Sequence, residues 1–440
     1  MMHQGYMAEA IESRRLAATL GLPGQWVCMT TQPSPLLLSG GSVFNHETRS
    51  FDANVDVLCE EGKISRIAPD QAPDEVSTID CVGLYLLPGL IDCHVHLTSS
   101  GAPDAMTAAK DTPPAHRAWQ SAEHARRTLE AGFTTVRDLG AAERLNIDMA
   151  RAVESGLIIG PRILAAGLGV TMTGGHGHGF IAREADGPDE VRKAVREQLG
   201  AGATAIKLFA SGGVMTPGVD PQSPSLTEDE LRAGVEEAHK AFRIVGSHAQ
   251  STEGIKNAIR AGVDSIEHGV WLDEEAIELM CEQGTYMVAT LTAPHHIAHG
   301  GVEAGIPAYM AEKGSQVLED HIASFRAAVH AGVRMAMGTD QGTPLNHPGQ
   351  NAQEIVRIAN NGLGPAAAIL ASTAWAADLL GLEDACGRLT EGLEADIVIL
   401  NRDPLEDVTI LTQPGCIERV IQSGIVVDRQ TLNTKAGVNS

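Results

Sequence analysis

In the stretch LPGLIDCHVHL (residues 87–97) two histidines stand one residue apart at the end of an apolar run. Alternate side chains of a β-strand share a face, so His94 and His96 point the same way while Cys93 and Val95 point the other. Paired imidazoles in a buried place are costly unless something uses their nitrogens, and a metal ion is the usual user. On this stretch alone, two half-exposed strand histidines are an equal reading. Other residues of ligand type close other apolar runs: Lys207 in AIKLFASGG, His248 in VGSHAQ, His268 in SIEHG and Asp340 in MAMGTD. Each has an ordinary explanation. A lone strand-end histidine is usually a hydrogen-bonded structural residue, and Asp340 could cap a following helix. So many coincidences in chain order favour one shared metal site.

Lys207 stands between Ile206 and Leu208 and is followed by Phe209, a setting in which a free ammonium is expensive to bury. Its side chain either snorkels to a rim, pairs with an acid, or reacts as a neutral amine with carbon dioxide. The resulting carbamate is a two-oxygen anion able to bridge two metal ions. With two divalent ions, the carbamate, Asp340 and a bridging hydroxide, the site stays mildly positive and suits a polarised carbonyl.

Strands must carry these residues, and the chain supplies them in a regular rhythm. Helical stretches end in Ala-Gly and run into a short apolar strand in LEAGFTTVRDLG, LGAGATAIKLFASG, IRAGVDSIEHG and VHAGVRMAMGTD. Gly132, Gly202, Gly262 and Gly332 suit the left-handed conformation that closes a helix. At the other end of one unit, Thr227 and Glu230 have capping-box spacing ahead of an apolar stripe of Leu231, Val235, Ala238 and Phe242. Strands are expected near 88–96, 133–138, 162–167, 204–210, 243–248, 264–268, 286–291 and 334–339. This alternation over residues 85–385 predicts a (β/α)8 TIM barrel, with chemistry at the C-terminal strand ends. A doubly wound open sheet is disfavoured because no glycine-rich dinucleotide fingerprint follows an early strand. Residues 34–84 and 386–432 read as short alternating strands with turn signals, which predicts a small composite β-sandwich domain formed from both chain ends. Residues 1–33 read as an N-terminal extension without a signal peptide.

Composition narrows the partners. Lys and Arg number 32 against 56 Asp and Glu, a net charge of −24 that repels phosphate backbones and anionic lipid. Nucleic-acid and membrane partners are therefore not expected, and no apolar run approaches the length of a membrane span. The 7 cysteines are scattered and lack a Cys-x-x-Cys pair, which suits a reducing cytoplasm and argues against a disulfide scaffold or thiolate zinc site.

Together, His-x-His on the first strand, Lys on the fourth, His on the fifth and sixth and Asp on the eighth resemble the amidohydrolase superfamily. LPGLIDCHVHL, IKLFASGGV, SIEHG and GTD carry the likeness over nearly the whole chain. The most similar branch holds imidazolonepropionase-like proteins, Xaa-Pro dipeptidases, N-acyl amino acid carboxypeptidases and aryl-urea hydrolases. The resemblance implies a binuclear hydrolase of an amide-type C–N bond in a small molecule, assembled as a homo-oligomer. It implies that His94, His96 and Asp340 hold the more buried ion, His248 and His268 the more exposed one, and that carboxylated Lys207 bridges them. The ions are two divalent metals, expected to be Zn2+, with manganese and cobalt also compatible. A hydroxide between them attacks the carbonyl, and Asp340 takes its proton and passes it to the leaving nitrogen.

Substrate residues follow from the same resemblance. In the loop TMTGGHGHGF (171–180) His176 is expected to contact the scissile group, with His178 beside it; a mobile loop with solvated histidines is the plain alternative. Similar dipeptidases have a tyrosine where this chain has Gln250, whose amide is a weaker acid but still a hydrogen-bond donor. Arg137 is the nearest cation for a substrate carboxylate, unless it pairs with Asp138 or another acid. His295, His296 and His299 read as a solvated loop cluster. Dipeptides or N-acyl amino acids lead as substrates, ahead of aryl ureas and other xenobiotic amides or carbamates. A mononuclear deaminase or cyclic-amidine hydrolase is the further alternative, against which Lys207 speaks.

Overall fold

The computed structural model describes residues 34–68 and 76–427; the extension at 1–33 and the last residues expected in the composite domain lie outside them. The two ends of the described chain meet in one sheet. Its strands are β1 (Leu36–Asn45), β2 (Ser50–Glu60), β3 (Lys63–Ile67), β4 (Ser77–Asp80) and β5 (Tyr85–Pro88). The C-terminal side supplies Ile397–Leu400, Ile417–Gln422 and Ile425–Val426. β5 pairs antiparallel with Ile397–Leu400, matching Tyr85 to Leu400 and Pro88 to Ile397. β1 divides its other edge between two parallel neighbours, Leu36–Ser39 facing β4 and Ser42–Val43 facing β5. The register shifts between those halves at Gly41, where a Cβ would sit 2.6 Å from Leu86 Cδ1. Leu38, Val57, Ile64, Leu86, Ile397 and Ile421 fill the core against this sheet.

Between these ends the chain alternates parallel strands with helices. One sheet holds β6 (Leu90–Val95), β7 (Phe133–Asp138) and β8 (Arg162–Ala165) in that order. A second runs β10-β9-β11-β12-β13-β14, with β9 at Gly169–Thr171, β10 at Ala182–Glu184, β11 at Ile206–Phe209, β12 at Val245–Ala249, β13 at Ser265–His268 and β14 at Tyr286–Val288. Helices such as Pro188–Ala201, Glu228–Lys240, Thr252–Ala261 and Ala308–Ala331 connect them. Their ends follow from local chemistry. Gly202, Gly262 and Gly332 close three of these helices at φ +105°, +90° and +81°. Thr227 and Glu230 make both bonds of a capping box. The result is a TIM-barrel-like α/β fold with a sheet domain, its core lined by Val136, Leu208, Val245, Ile266, Met287 and Met337. Among the described residues no single helix is long and apolar enough to cross a membrane.

The segment expected as a strand at 334–339 does not form a regular ladder. It runs between β14 and β6 through single bridges, Met287 to Met335 and Val95 to Gln341. Backbone bonds hold it on both sides: Ala336 N donates to Met287 O at 3.0 Å, Cys93 N to Met337 O at 2.9 Å, and Asp340 N to His94 O at 2.7 Å. Gly338 explains the irregularity, because a Cβ there would stand 2.4 Å from Val288 Cγ1 and 2.8 Å from His94 Cβ. The third expected strand is also interrupted. After β8 the chain turns at Gly167, φ +72°, and resumes as β9, which pairs with β10 and so closes the base of the 172–181 loop.

The helix Thr292–Gly300 begins without a side-chain cap of its own. Glu354 supplies one from the helix Ala352–Ile358, its buried carboxylate accepting from Leu291 N at 2.8 Å, Thr292 N at 2.7 Å and Thr292 Oγ1 at 2.6 Å. Burial outweighs those bonds and pushes its pKa from 4.5 to about 7. The folded protein then binds a proton that the unfolded chain releases, so this group's contribution to stability falls as pH rises from 4.5 to about 7. Denaturant unfolding of wild type and Glu354→Gln across this window tests it. The stability of wild type relative to the variant should decline through the window and level off above it; a pH-independent difference would contradict the assignment.

Candidate metal centre and active site

Four strands and the bridging segment deliver the ligand-type residues to one place. β6 carries His94, with His96 just beyond it, and their Nε2 atoms stand 3.5 and 3.3 Å from Asp340 Oδ1. β12 brings His248 and β13 brings His268, whose rings lie 4.6 Å apart, while His94 and His268 lie 5.3 Å apart. β11 carries Lys207 in register with Gly246 of β12. Ligand atoms of His94, His268 and Asp340 all fall within 4.8 Å of one another. The backbone is strained here: His268, Thr290 and Asp340 have φ of +74°, +55° and +57°.

Each histidine has one ring nitrogen committed elsewhere. His94 Nδ1 donates to Glu267 Oε2 at 2.8 Å, His96 Nδ1 to Gly140 O at 2.9 Å, and His248 Nε2 to Gly212 O at 2.8 Å. These acceptors carry no proton, so the bonds leave His94 Nε2 and His248 Nδ1 as lone pairs, and His96 Nε2 as one whenever that ring is neutral. His268 Nδ1 bonds Thr290 Oγ1 at 2.7 Å. Such outer partners are what hold metal-ligating imidazoles in orientation. Burial drives His94 down to about 4 and His248 and His268 well below 6.5, which keeps these three rings in the neutral, ligating form, whereas Asp340 raises His96 against its burial.

Lys207 is buried, and its Nζ has no hydrogen-bond partner. Burial pulls its pKa from 10.5 to about 8, partly offset by Glu267 and Asp340. An ammonium with all three donors unmet in such a place is costly, whereas a carbamate there would be compensated by cations that the neighbouring histidines could hold. The unpartnered amine and the donor set fit a metal centre with a carboxylated lysine.

Two expected substrate residues are placed differently. Arg137 does not reach the cavity. It is fully buried, and Nε donates to Cys93 O at 2.7 Å, Nη1 to Ser265 Oγ at 3.0 Å and Nη2 to Glu267 Oε1 at 2.7 Å. Its acid is Glu267 and not the neighbouring Asp138, which accepts instead from Leu97 N, Gly140 N and Asn146 Nδ2. Burial alone would raise Glu267, yet Arg137 and His94 hold it at about 2. His178 bonds Gly175 O within its own loop and is absent from the cavity wall. His295, His296 and His299 lie on the helix Thr292–Gly300, not in a loop, with His295 stacked on His299 at 3.9 Å.

His176 and Gln250 do line the cavity, which opens to solvent. The His176 ring packs 4.5 Å from His248 and lies over Gly213, where a Cβ would come within 2.6 Å of it. Thr216 Oγ1 bonds His176 Nδ1 at 2.8 Å and accepts from Gly177 N at 3.0 Å, so the glycine-rich loop is held in place. Apolar side chains make up most of the remaining wall, among them Met106, Phe180, Ile181, Met215, Val270 and Ile297. Glu267 is the residue that the sequence reading missed. Its signal was a second ionisable group directly beside His268 in the short SIEHG strand.

The model of the Amidohydrolase family matches residues 85–427. Ochratoxinase of Aspergillus niger is 34% identical over 368 residues, covering 77% of this chain and 75% of that protein. A solved Xaa-Pro dipeptidase with bound methionine in the active site is 32% identical, with a TM-score of 0.82 over 90% of this chain and 100% of that one. A prolidase complexed with N-methylphosphonate-L-proline is 34% identical, with a TM-score of 0.84 over the same shares.

Removing the Arg137 guanidinium strands a buried carboxylate. Arg137→Met should destabilise the protein by about 3–5 kcal/mol, the usual penalty for breaking a buried ion pair from one side. Denaturant unfolding of the chelated protein measures this without involving metal, and a loss within about 1 kcal/mol would show that Glu267 does not depend on Arg137.

Proposed function

The chain belongs to the amidohydrolase family and is a hydrolase of carbon–nitrogen bonds; on that premise we propose that it is a binuclear amide hydrolase acting on N-acyl amino acids or dipeptides with bulky apolar groups. One observation carries the reading. A buried lysine amine without a hydrogen-bond partner stands among histidines whose outer nitrogens are already committed. His94, His96 and Asp340 would hold one divalent ion, His248 and His268 the other, with Lys207 as a carbamate between them. When bound, such ions acidify water and act as Lewis acids toward a carbonyl oxygen.

The chain's own groups supply the rest. Asp340 accepts the proton of the attacking water at its carboxylate and returns it to the leaving nitrogen. His176 presents Nε2 to the carbonyl oxygen. The apolar wall takes up the acyl group and thins the water around the reacting atoms. Amino acid-like ligands in the similar dipeptidase and prolidase structures support the substrate class. In the same reading, the bridged segment at 334–341 completes an eight-stranded barrel, and the terminal sheet is a separate domain.

A second reading has one observation in its favour. The compact trio of His94, His268 and Asp340 cuts across the two proposed ion sites and would equally serve a single ion, as in a deaminase or cyclic-amidine hydrolase. Aryl ureas and carbamates remain alternative substrates for the binuclear site.

Elemental analysis of protein prepared with bicarbonate should find two metals per chain, falling sharply in Lys207→Ala. One metal, unaffected by that change, would favour the mononuclear reading. Asp340→Asn should keep its fold by circular dichroism but lose at least about a hundredfold in kcat. Near-normal turnover would remove Asp340 from the proton path.

A further inference from the structure

Directly after β12 the chain places a carboxamide at the cavity wall. Gln250 is fixed at both backbone ends: its N–H donates to Ser211 Oγ at 2.8 Å and its C=O accepts from Trp271 N at 3.0 Å. The residue is 6% exposed and lines the same cavity as His248, two positions earlier, and His176. Its Oε1 is buried and has no hydrogen-bond partner. A buried acceptor left empty is destabilising by itself, and in a ligand cavity the missing donor is expected to come from the ligand.

The neighbouring histidine indicates which donor is missing. Thr216 Oγ1 accepts from Gly177 N and pairs with His176 Nδ1, and we take its hydroxyl as the donor in that pair. That arrangement leaves the proton of His176 on Nε2, a donor suited to a carbonyl oxygen. The carbonyl half of an amide then has its partner, and the N–H half does not. We propose that Gln250 Oε1 accepts the N–H of the scissile bond, which makes the enzyme selective for secondary amides over tertiary ones such as those of proline or N-methyl amino acids. The inference rests on the amide-hydrolase reading above.

Holding the N–H also serves the reaction. As the C–O bond to water forms and the C–N bond breaks, the leaving nitrogen must gain the proton that Asp340 took from that water. Fixing the N–H direction fixes the face on which the nitrogen lone pair develops. A tertiary amide would set a carbon against Oε1 instead and leave the acceptor dry and unpaired, a penalty of about ten- to a hundredfold in kcat/KM.

Matched pairs of N-benzoyl and N-naphthoyl amino acids, differing only by methylation of the amide nitrogen, provide the test on metal-loaded full-length protein. Wild type should prefer the N–H member at least tenfold. Gln250→Met, similar in length but without the acceptor, should lose about tenfold on the N–H member and little on its methylated partner, so that the ratio collapses. Because wild type alone reports the preference, a misfolded variant does not rescue the idea. Equal wild-type rates on both members would overturn the proposal and leave amide hydrolysis intact, as would a variant that slows both members alike. Hydrolysis of neither member of any pair would overturn the amide-hydrolase reading and this inference with it.

Discussion

A carboxylate sealed inside the protein anchors the candidate site. Glu267 has no exposure, and it stays ionised because Arg137 grips one oxygen and His94 Nδ1–H the other. Arg137 also bonds the backbone of β6 at Cys93 and the Ser265 hydroxyl of β13, so three strands are tied through one guanidinium. Low dielectric makes such a pair costly to form and more costly to break, which restricts the interior to one arrangement. The His94 tautomer, and with it the direction of its lone pair, follows from that arrangement.

A similar logic repeats farther out. Asp92 accepts from His94 N, Thr339 N, Thr339 Oγ1 and Asn351 Nδ2, so the first strand and the irregular 334–341 segment share an acid. The loop after β11 reaches His248 through Gly212 O and His176 through Thr216. Lys313, from the helix Ala308–Ala331, ties that loop down by donating to the carbonyls of Gly213, Thr216 and Val219. Orientation of the proposed ligands is thus delegated to buried acids and backbone carbonyls rather than left to the rings.

Much of this was legible in the sequence because strand and helix periods report which residues share a face. His94, His96, Lys207, His248, His268 and Asp340 each close an apolar run, and the fold brings those run-ends together. Glycine-terminated helices and the Thr227–Glu230 box are local chemistry, and they are where the spacing put them. What stayed hidden is chemistry between elements. Arg137 meets Glu267 130 positions away, and no period in either strand encodes that meeting. His178 bonds within its own loop, and the segment around His295 that was expected to be a loop is helical: composition alone does not report how such a segment closes. The irregular eighth segment turns on the room around Gly338, a packing fact set by Val288 and His94.

The left-handed backbone at His268 and Asp340 carries a consequence for substitution. Side chains with a Cβ pay about 1–2 kcal/mol in that conformation, and glycine does not. At both positions, then, the substitution that would relax the backbone is the one that deletes the proposed ligand. Relief of the backbone and retention of the ligand are therefore alternatives at these two positions, and the φ angle alone already marks them as places where local comfort yields to chemistry.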